Sequence, residues 1–540
     1  MKHILLTIFC LSAFLAQAQL TNEGQPKSWR MLQKSEIQPY ILPTIDMATI
    51  RSEDAVNDLK RDTPWRFGKE LQVDLDMKNS GVWDVLPNGD RIWRLNVKSS
   101  GAKTMNFVFR TYQLPPGATL YIYNDQRSDL LGAYTNVQNQ EDEMLGTWLV
   151  EGDDIWLEYY EPKSVKNRGR LHLTKVVHGY RSVTESEAQE KALNDSGNCN
   201  HDVDCPVSAN FDPLKEKLKH ATGFIVLNGF VCSGALINNT NNDKAPYFLT
   251  ANHCESGSES TWSFRFNWIS QNPSCGTTTP STDGSTNQII SGATVLAKNT
   301  RSDFKLLQLN EALPESWELT WAGWDVSGTA PQSSMGIHHP SGDIMKVCRD
   351  DDPATEAVFN FNEDPNAQMW RVADWDLGVT EGGSSGSPLY NENGLIVGQL
   401  AGGAAACQGT TDNDQFDIYG RMDVSWDFGN TNATRLSNWL DPTGSGVQSL
   451  PTLGVNDEVV FDSSIGVYPN PANDRLTIAN GKGAELTYGI YNVLGQKILQ
   501  GSFSDRSETI DVSNLKQGIY LLKMVSDQGA TKTKKLVVRH

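Results

Sequence analysis

Gly382-Gly383-Ser384-Ser385-Gly386-Ser387-Pro388-Leu389 is a serine set among glycines, leading into the apolar run Gly394-Leu395-Ile396-Val397-Gly398-Gln399-Leu400. Such a turn presents a hydroxyl with little steric cover. It also aims neighbouring backbone N–H groups at one point, the geometry of a nucleophile with its own oxyanion hole. The plain alternative is a glycine-serine loop. Two stretches upstream shift the weight. Tyr247-Phe248-Leu249-Thr250-Ala251-Asn252-His253-Cys254 runs an apolar strand into a histidine. Ser302-Asp303-Phe304-Lys305-Leu306-Leu307-Gln308-Leu309 places an aspartate at the head of another. A lone histidine or aspartate at a strand end is usually structural. Three such residues in the order His, Asp, Ser suit a proton relay. His253 is the expected general base, Asp303 its orienting partner and Ser385 the nucleophile. The N–H groups of Gly383 and Ser385 are the expected oxyanion donors. Other hydrolase classes use different orders, and Gly386-Ser387-Pro388 lacks the closing glycine of a nucleophile elbow.

From about Cys199 to Gly444 the chain resembles bacterial lysyl endopeptidases, which are chymotrypsin-fold serine proteases. The matching phrases include Asn198-Cys199-Asn200 with Cys205-Pro206, the histidine, aspartate and serine stretches, and Trp321-Ala322-Gly323-Trp324-Asp325. Further ones are Ile337-His338-His339-Pro340, Gly378-Val379-Thr380-Glu381, Asp417-Ile418-Tyr419-Gly420-Arg421 and Arg435 through Pro442. The resemblance implies two β-barrels with the active site between them. It also implies the disulfides Cys199–Cys407, Cys205–Cys275 and Cys232–Cys254, the last closing a short loop that pins His253. Asp417 stands where the family keeps its pocket aspartate. A carboxylate at the bottom of a narrow pocket needs a cation to offset its desolvation, so the expectation is cleavage after Lys, with Arg admitted. A solvated loop aspartate is the alternative, since Asp412 and Asp414 lie just upstream. Val379, six residues before Ser385, rules out the trypsin placement of that charge. Glu381 is a second substrate-binding residue or a loop support. Ala401 stands where the family often has a histidine, and no tryptophan matches its partner in Val358-Phe359-Asn360-Phe361. Ser384 replaces the aspartate that receives a freed N-terminus in animal relatives, so activation must come from removing an N-terminal segment. His338 and His339 read as structural, and His220 as a surface residue.

The chain has 540 residues, a formal net charge of −19 and a pI near 4.9. No basic stripe is visible, so nucleic acid is not an expected partner; acidity of this kind favours solubility and cationic substrates. Residues 1–18 read as a signal peptide: Lys2 and His3 precede an apolar run, and Ala16-Gln17-Ala18 fits a cleavage site. Of eight cysteines, Cys10 falls in this leader and the other seven lie between Cys199 and Cys407. In a secreted chain that distribution suggests disulfides; no zinc spacing is present, and no metal or cofactor is expected. Cys348 is left over as a buried thiol.

Residues 19–195 carry alternating runs at Arg91–Val97, Thr104–Arg110, Leu120–Tyr123 and Ile155–Tyr160, separated by turn signals. The reading is a β-sandwich propeptide, against the alternative of a permanent binding module, with Lys191 a processing site. The protease-like domain spans 196–445. Within it Asn228-Gly229 reads as a two-residue hairpin turn, and Asn432–Leu440 reads as a closing helix. Residues 446–463 read as a linker. Residues 464–540 give the alternation of an immunoglobulin-like sandwich of about seven strands. Val467-Tyr468-Pro469-Asn470-Pro471, Ile490-Tyr491-Asn492-Val493-Leu494-Gly495-Gln496 and the basic ending Lys532-Thr533-Lys534-Lys535 resemble the C-terminal sorting domain of proteins exported by the type IX secretion system. That resemblance implies the export machinery as a partner and secretion or surface display beyond the outer membrane.

The whole therefore reads as all-β: a double-barrel protease flanked by two sandwiches, monomeric, acting on proteins and peptides. The competing readings are an esterase, a protease of another specificity, and an adhesin or pseudoenzyme built on a protease fold.

Overall fold

The computed structural model describes residues 22, 24–60, 62–181, 196–279, 281–282, 287–361, 363–454, 465–480, 486–492, 496–505, 507–526 and 531–539. The expected leader, Cys10 and Lys191 lie outside the described residues. The chain divides into two compact units, Met1–Trp317 with Trp321–Leu453, and Glu318–Thr320 with Gly454–His540. Among the described residues no helix is long and apolar enough to cross a membrane.

The N-terminal part of the first unit is built on two sheets. In one, Arg91–Lys98 and Thr119–Asn124 flank Asp154–Glu161, with Tyr40–Ile41, Val82–Val85 and Leu130–Tyr134 outside them. In the other, Thr104–Gln113 and Gly68–Asp76 flank Arg170–Gly179. The alternating runs of the sequence are these strands, each extended by one to three residues. Their inner faces share a core with Phe107, Leu157 and Val176, and that core continues into Phe224, Val231 and Trp268 of the following segment. An α-helix, Met47–Asn57, follows the short strand Tyr40–Ile41 and precedes the others; Asp46 caps it by accepting from the N–H groups of Ala48 and Thr49.

The middle of the chain forms an eight-stranded and a ten-stranded sheet. The first contains the expected hairpin, Thr222–Leu227 with Phe230–Leu236, closed by Asn228 at φ +57°. Tyr247–Ala251 pairs antiparallel with Phe304–Leu309, Ala251 opposite Phe304. The residues just beyond one strand and just before the other therefore emerge at the same end of the sheet. The second sheet carries Pro388–Asn391 beside Ile396–Gly403, which in turn pairs with Asp417–Arg421. The three disulfides form as the resemblance implies, and Cys348 is a buried free thiol.

Two boundaries differ from the sequence reading. Asn432–Leu440 is not one helix but a 3-10 turn, Asn432–Thr434, and a short helix, Ser437–Leu440. Thr431 and Thr434 cap each other's ends, and Arg435 is extended at φ −148° and ψ 158°, which interrupts the spiral. The expected linker also begins too early. Ser449–Leu450 pairs with Trp324–Asp325, and Leu453 bridges to Trp321, so this stretch belongs to the first unit.

The second unit has two antiparallel sheets. Arg475–Asn480 lies between Ile465–Tyr468 and Ser507–Asp511. Leu486–Asn492 and Gly518–Ser526 lie between Lys497–Phe503 and Thr531–Val538. Leu476, Ile478, Ile490, Leu522 and Leu536 face inward between them.

Candidate active site

His253 and Asp303 meet because their strands pair. Asp303 is fully buried, and its Oδ2 lies 2.7 Å from His253 Nδ1. Its Oδ1 accepts from the His253 backbone N–H at 3.0 Å, and its carbonyl accepts from Asn252 N–H at 2.7 Å. The aspartate thus holds both the ring and the main chain of the histidine. A carboxylate only accepts, so the shared proton sits on Nδ1 and Nε2 is the basic nitrogen. Nε2 is buried and makes no hydrogen bond in this structure, so the bond to Ser385 is not formed. Catalytic hydrogen bonds are often completed only when substrate binds. Phe361 stands edge-on to the imidazole at 5.7 Å and packs with Ala401 in one small cluster.

The serine turn comes from the other sheet and is fastened to the first. Ser233 N–H donates to the Ser385 carbonyl at 2.8 Å, and Ser233 Oγ donates to the Gly383 carbonyl at 3.0 Å. Gly386 N–H is bonded to Leu400 O, and Ser384 N–H to Glu381 O. Gly383 sits at φ +95°, a conformation that side chains rarely adopt. Ser384 turns inward and lies 2.8 Å from His338 Nδ1. Burial pushes His338 and His339 down to about 3, so both imidazoles are neutral. His339 stacks on Trp268 and bonds to the Asp343 carbonyl. His220 is half-buried, with Nδ1 2.7 Å from Asn267 Oδ1.

Asp417 and Glu381 share a cavity with Ser385, together with Thr380, Gly402 and Gly403. Asp417 is buried in its wall, where Trp375 Nε1–H and Thr380 Oγ1–H both donate to Oδ2 at 2.7 Å. The solvated-loop alternative does not describe this residue. Glu381 is used differently from Asp417. Its two oxygens accept the Gly197 N–H at 3.2 and 3.0 Å, so it clamps the irregular segment entering the domain beside the Cys199–Cys407 disulfide. Burial raises its carboxyl above the usual range. Cys348 lies against Gly336 and its thiol is pushed up by burial and the Asp417 charge, the opposite of an activated nucleophile.

Sequence reasoning missed Ser233, Phe361, Trp375 and Thr380. It also missed that Asn57, Asp58, Lys60, Thr63, Pro64, Trp65 and Arg66 line the same cavity as Ser385. There Trp65–Arg66 joins the sheet antiparallel to Phe230–Val231, and Trp65 packs against Gly382.

Residues 193–420 match the family model described as the lysyl endopeptidase C-terminal domain, and residues 466–539 match the secretion system C-terminal sorting domain. The chain is 24% identical over 384 residues to a lysyl endopeptidase of Pseudomonas aeruginosa, covering 65% of this chain and 79% of that one. It is 31% identical over 115 residues to an endo-acting ulvan lyase of Formosa agariphila, covering 20% and 22% of the two chains. Among solved structures, the Rv3671c protease of M. tuberculosis aligns over 40% of this chain and 90% of its own at 15% identity, with a TM-score of 0.27. The MamO protease domain of Magnetospirillum magneticum aligns over 38% and 95% at 16% identity, with a TM-score of 0.25. Similarities this low carry no weight for the fold, which rests on the strand pairings above. The sorting domain indicates secretion across the outer membrane or attachment at the cell surface.

Proposed function

We propose that this chain, a peptidase of the lysyl endopeptidase family over residues 193–420, is a secreted serine endopeptidase on a chymotrypsin-like double barrel that cleaves after basic residues, Lys before Arg. Ser385 Oγ attacks the scissile carbonyl and passes its proton to His253 Nε2. The carbonyl oxygen, now an anion, is received by the N–H groups of Gly383 and Ser385. His253 returns the proton to the leaving amine, and water repeats the cycle on the acyl-enzyme. Asp303 holds the imidazole and stabilises its cation. The observation that carries this reading is the double grip of buried Asp303 on His253, which leaves Nε2 as the base at the strand end beside the serine turn. Asp417 supplies the negative charge for a basic side chain entering the cavity it shares with Ser385.

The N-terminal part acts as a propeptide in this reading. Asn57, Asp58, Lys60 and the run Thr63, Pro64, Trp65 and Arg66 line the cavity a substrate must enter, and Trp65 covers Gly382 next to the oxyanion turn. Pro64 stiffens the segment and offers no N–H. Removing the segment would open the cleft, in keeping with a serine rather than an aspartate at position 384.

The test is mass spectrometry of a denatured protein digested by the matured enzyme, with Ser385→Ala as control and a fluorophosphonate probe on the nucleophile. Cuts after Lys, fewer after Arg, and labelling of Ser385 are expected. Turnover by purified Ser385→Ala would remove the triad. Cuts dominated by Glu or aromatic residues would remove the pocket assignment and leave the triad standing.

A further inference from the structure

Ser384 stands between Gly383 and Ser385, the two expected oxyanion donors, and is fully buried. Its Oγ accepts the Glu381 backbone N–H at 3.2 Å, while its own N–H donates to the Glu381 carbonyl at 3.0 Å. Its carbonyl accepts the Ser387 N–H at 3.0 Å. These bonds close the turn on itself. His338 Nδ1, 2.8 Å from the same Oγ, ties the closed turn to the strand Ser334–His338. His339 grips the neighbouring residue through a relay. Its N–H donates to Ser233 Oγ at 3.0 Å, and that hydroxyl donates to the Gly383 carbonyl at 3.0 Å. Ser341 N–H donates to the Gly382 carbonyl. A Cβ on Gly383 would lie 3.0 Å from the His339 carbonyl oxygen and 3.3 Å from Ser341 N, so the turn rests directly on this segment. The segment is itself fixed. Both histidines are fully buried, and the His339 ring stacks on Trp268 and bonds to the Asp343 carbonyl.

We infer that His338 is a positioning residue for the reaction: through Ser384 it aims the oxyanion turn, the task that an aspartate and a freed N-terminus share in animal relatives. The inference rests on the reading that Ser385 is the nucleophile and that Gly383 and Ser385 supply the oxyanion donors. Those two N–H groups flank Ser384, so fixing its side chain fixes the backbone that points both at one place. Donors held in advance cost no reorganisation when charge develops on the carbonyl oxygen. A neutral bond suffices here because Glu381 already closes the turn. Burial keeps the His338 imidazole uncharged, so the arrangement avoids the desolvation cost of a buried ion pair. The bond is present in the uncut chain, and neither of its partners is a chain terminus. Ordering the turn and opening the cleft are therefore separate events.

The experiment uses mature enzyme and a peptide amide with Lys before the scissile bond. His338→Leu and His338→Asn remove the ring alike and are close in size, but only Asn keeps hydrogen-bonding atoms near the place of Nδ1. His338→Leu should lower kcat by about 10–10²-fold, the scale of a small misplacement of reacting groups. KM should stay within about twofold, the mark of an interaction made in the transition state. The inhibition constant of a peptide aldehyde ending in Lys, which forms a tetrahedral adduct, should rise by the factor that kcat/KM falls. His338→Asn should recover most of kcat, a rescue that a merely space-filling role does not predict. Ser384→Ala should lose as much as His338→Leu, and the double variant no more than either, because the two side chains make one bond. If the His338 variants fail to mature, Ser384→Ala carries the same kinetic expectation. Parental kcat in His338→Leu or Ser384→Ala, equal losses in the Leu and Asn variants, or losses that multiply in the double variant overturn this inference and leave the triad intact. A parent with no peptidase activity and no fluorophosphonate labelling of Ser385 overturns the triad reading and this inference with it.

Discussion

Asp303 is held at φ +51°, in the left-handed region, with its carboxylate fully buried and both oxygens on His253. Asparagine tolerates that backbone and nearly matches the shape. Its amide offers an acceptor on only one side, however, so it cannot receive both N–H groups and no longer fixes the proton on Nδ1. Asp303→Asn should therefore fold with near-parental thermal stability and lose about 10⁴-fold in kcat, the size of tautomer loss in a triad of this kind. Thermal unfolding and peptide-amide kinetics check the two halves. A second prediction concerns pH. Asp350 ends the strand Lys346–Asp350, and its carboxyl is pushed up to about 6 by burial and by the charges of Asp376, Asp352 and Asp374. The folded chain therefore favours its protonated form. That contribution is complete below about pH 4, where the unfolded carboxyl is protonated too, and is lost as pH rises through 6. Asp350→Asn keeps the acceptor for Asp352 N–H and should raise the melting temperature at about pH 7.5 more than at about pH 4.5. Equal gains at both would count against it. His253, Asp303 and Ser385 stand out in the sequence as candidates because each sits at a strand end or glycine turn, a local signal; of these the structure pairs His253 with Asp303. Ser233 and Phe361 do not stand out, because their roles are contacts across a sheet or from a second sheet, which no spacing encodes.

The strand Trp65–Arg66 has two residues, too few for any alternation, so no sequence pattern marks it. Its partner strand was readable from the Asn228-Gly229 hairpin; that the two would pair was not. The element is anchored beyond the pairing. Phe67 and Gly68 N–H groups both reach the Gly229 carbonyl, Arg66 bonds to Asp54 on the preceding helix, and the Arg181 guanidinium covers the Trp65 ring at 4.5 Å. If this segment blocks the cleft, Trp65→Ala in the unprocessed full-length chain should raise hydrolysis of a small lysyl amide several-fold, with the mature enzyme unaffected. No rise in the precursor would return the N-terminal part to the binding-module reading. In the strand that Trp65 pairs with, Cys232 follows Val231, and the Cys232–Cys254 bond closes a loop of 22 residues next to His253. Replacing both cysteines with serine should cost about 3 kcal/mol in denaturant unfolding by the loop-entropy account. The closing helix failed as a reading for a reason on the same scale. Thr431 and Thr434 satisfy each other's backbone, a competition that short polar side chains regularly win against helix.

At the level of the whole chain the order of parts was legible from composition: cysteines confined to the middle, alternating strands on either side, a Gly-, Ser- and Thr-rich stretch before the last segment. The position of one boundary was not, because that stretch reads as linker while part of it is structure. Leu450 pairs with Trp324, Leu453 bridges to Trp321, and a Cβ at Gly323 would fall 2.2 Å from the Leu450 carbonyl. Backbones packed this closely, with no side chain between them, leave no room for solvent to replace the strand. The sorting unit, by contrast, draws its core from its own residues, Leu476, Ile490 and Leu536 among them. Two truncations separate these facts. A chain ending at 463 loses the sorting unit and keeps the Ser449–Leu450 strand. Purified and matured, it should match the full chain in kcat/KM and in the unfolding of its peptidase unit, while in a host with the type IX system it should accumulate in the periplasm. A chain ending at 445 loses the strand as well. It exposes Trp321 and Trp324, which are buried at present, and leaves their backbone groups without partners. It should unfold at lower denaturant, by an amount on the order of 2–5 kcal/mol for the loss of several buried apolar contacts. Surface delivery of the 1–463 chain would refute the sorting role of residues 466–539. Equal stability of the two truncations would show that the strand at 449–450 is dispensable and that the earlier boundary was the right one.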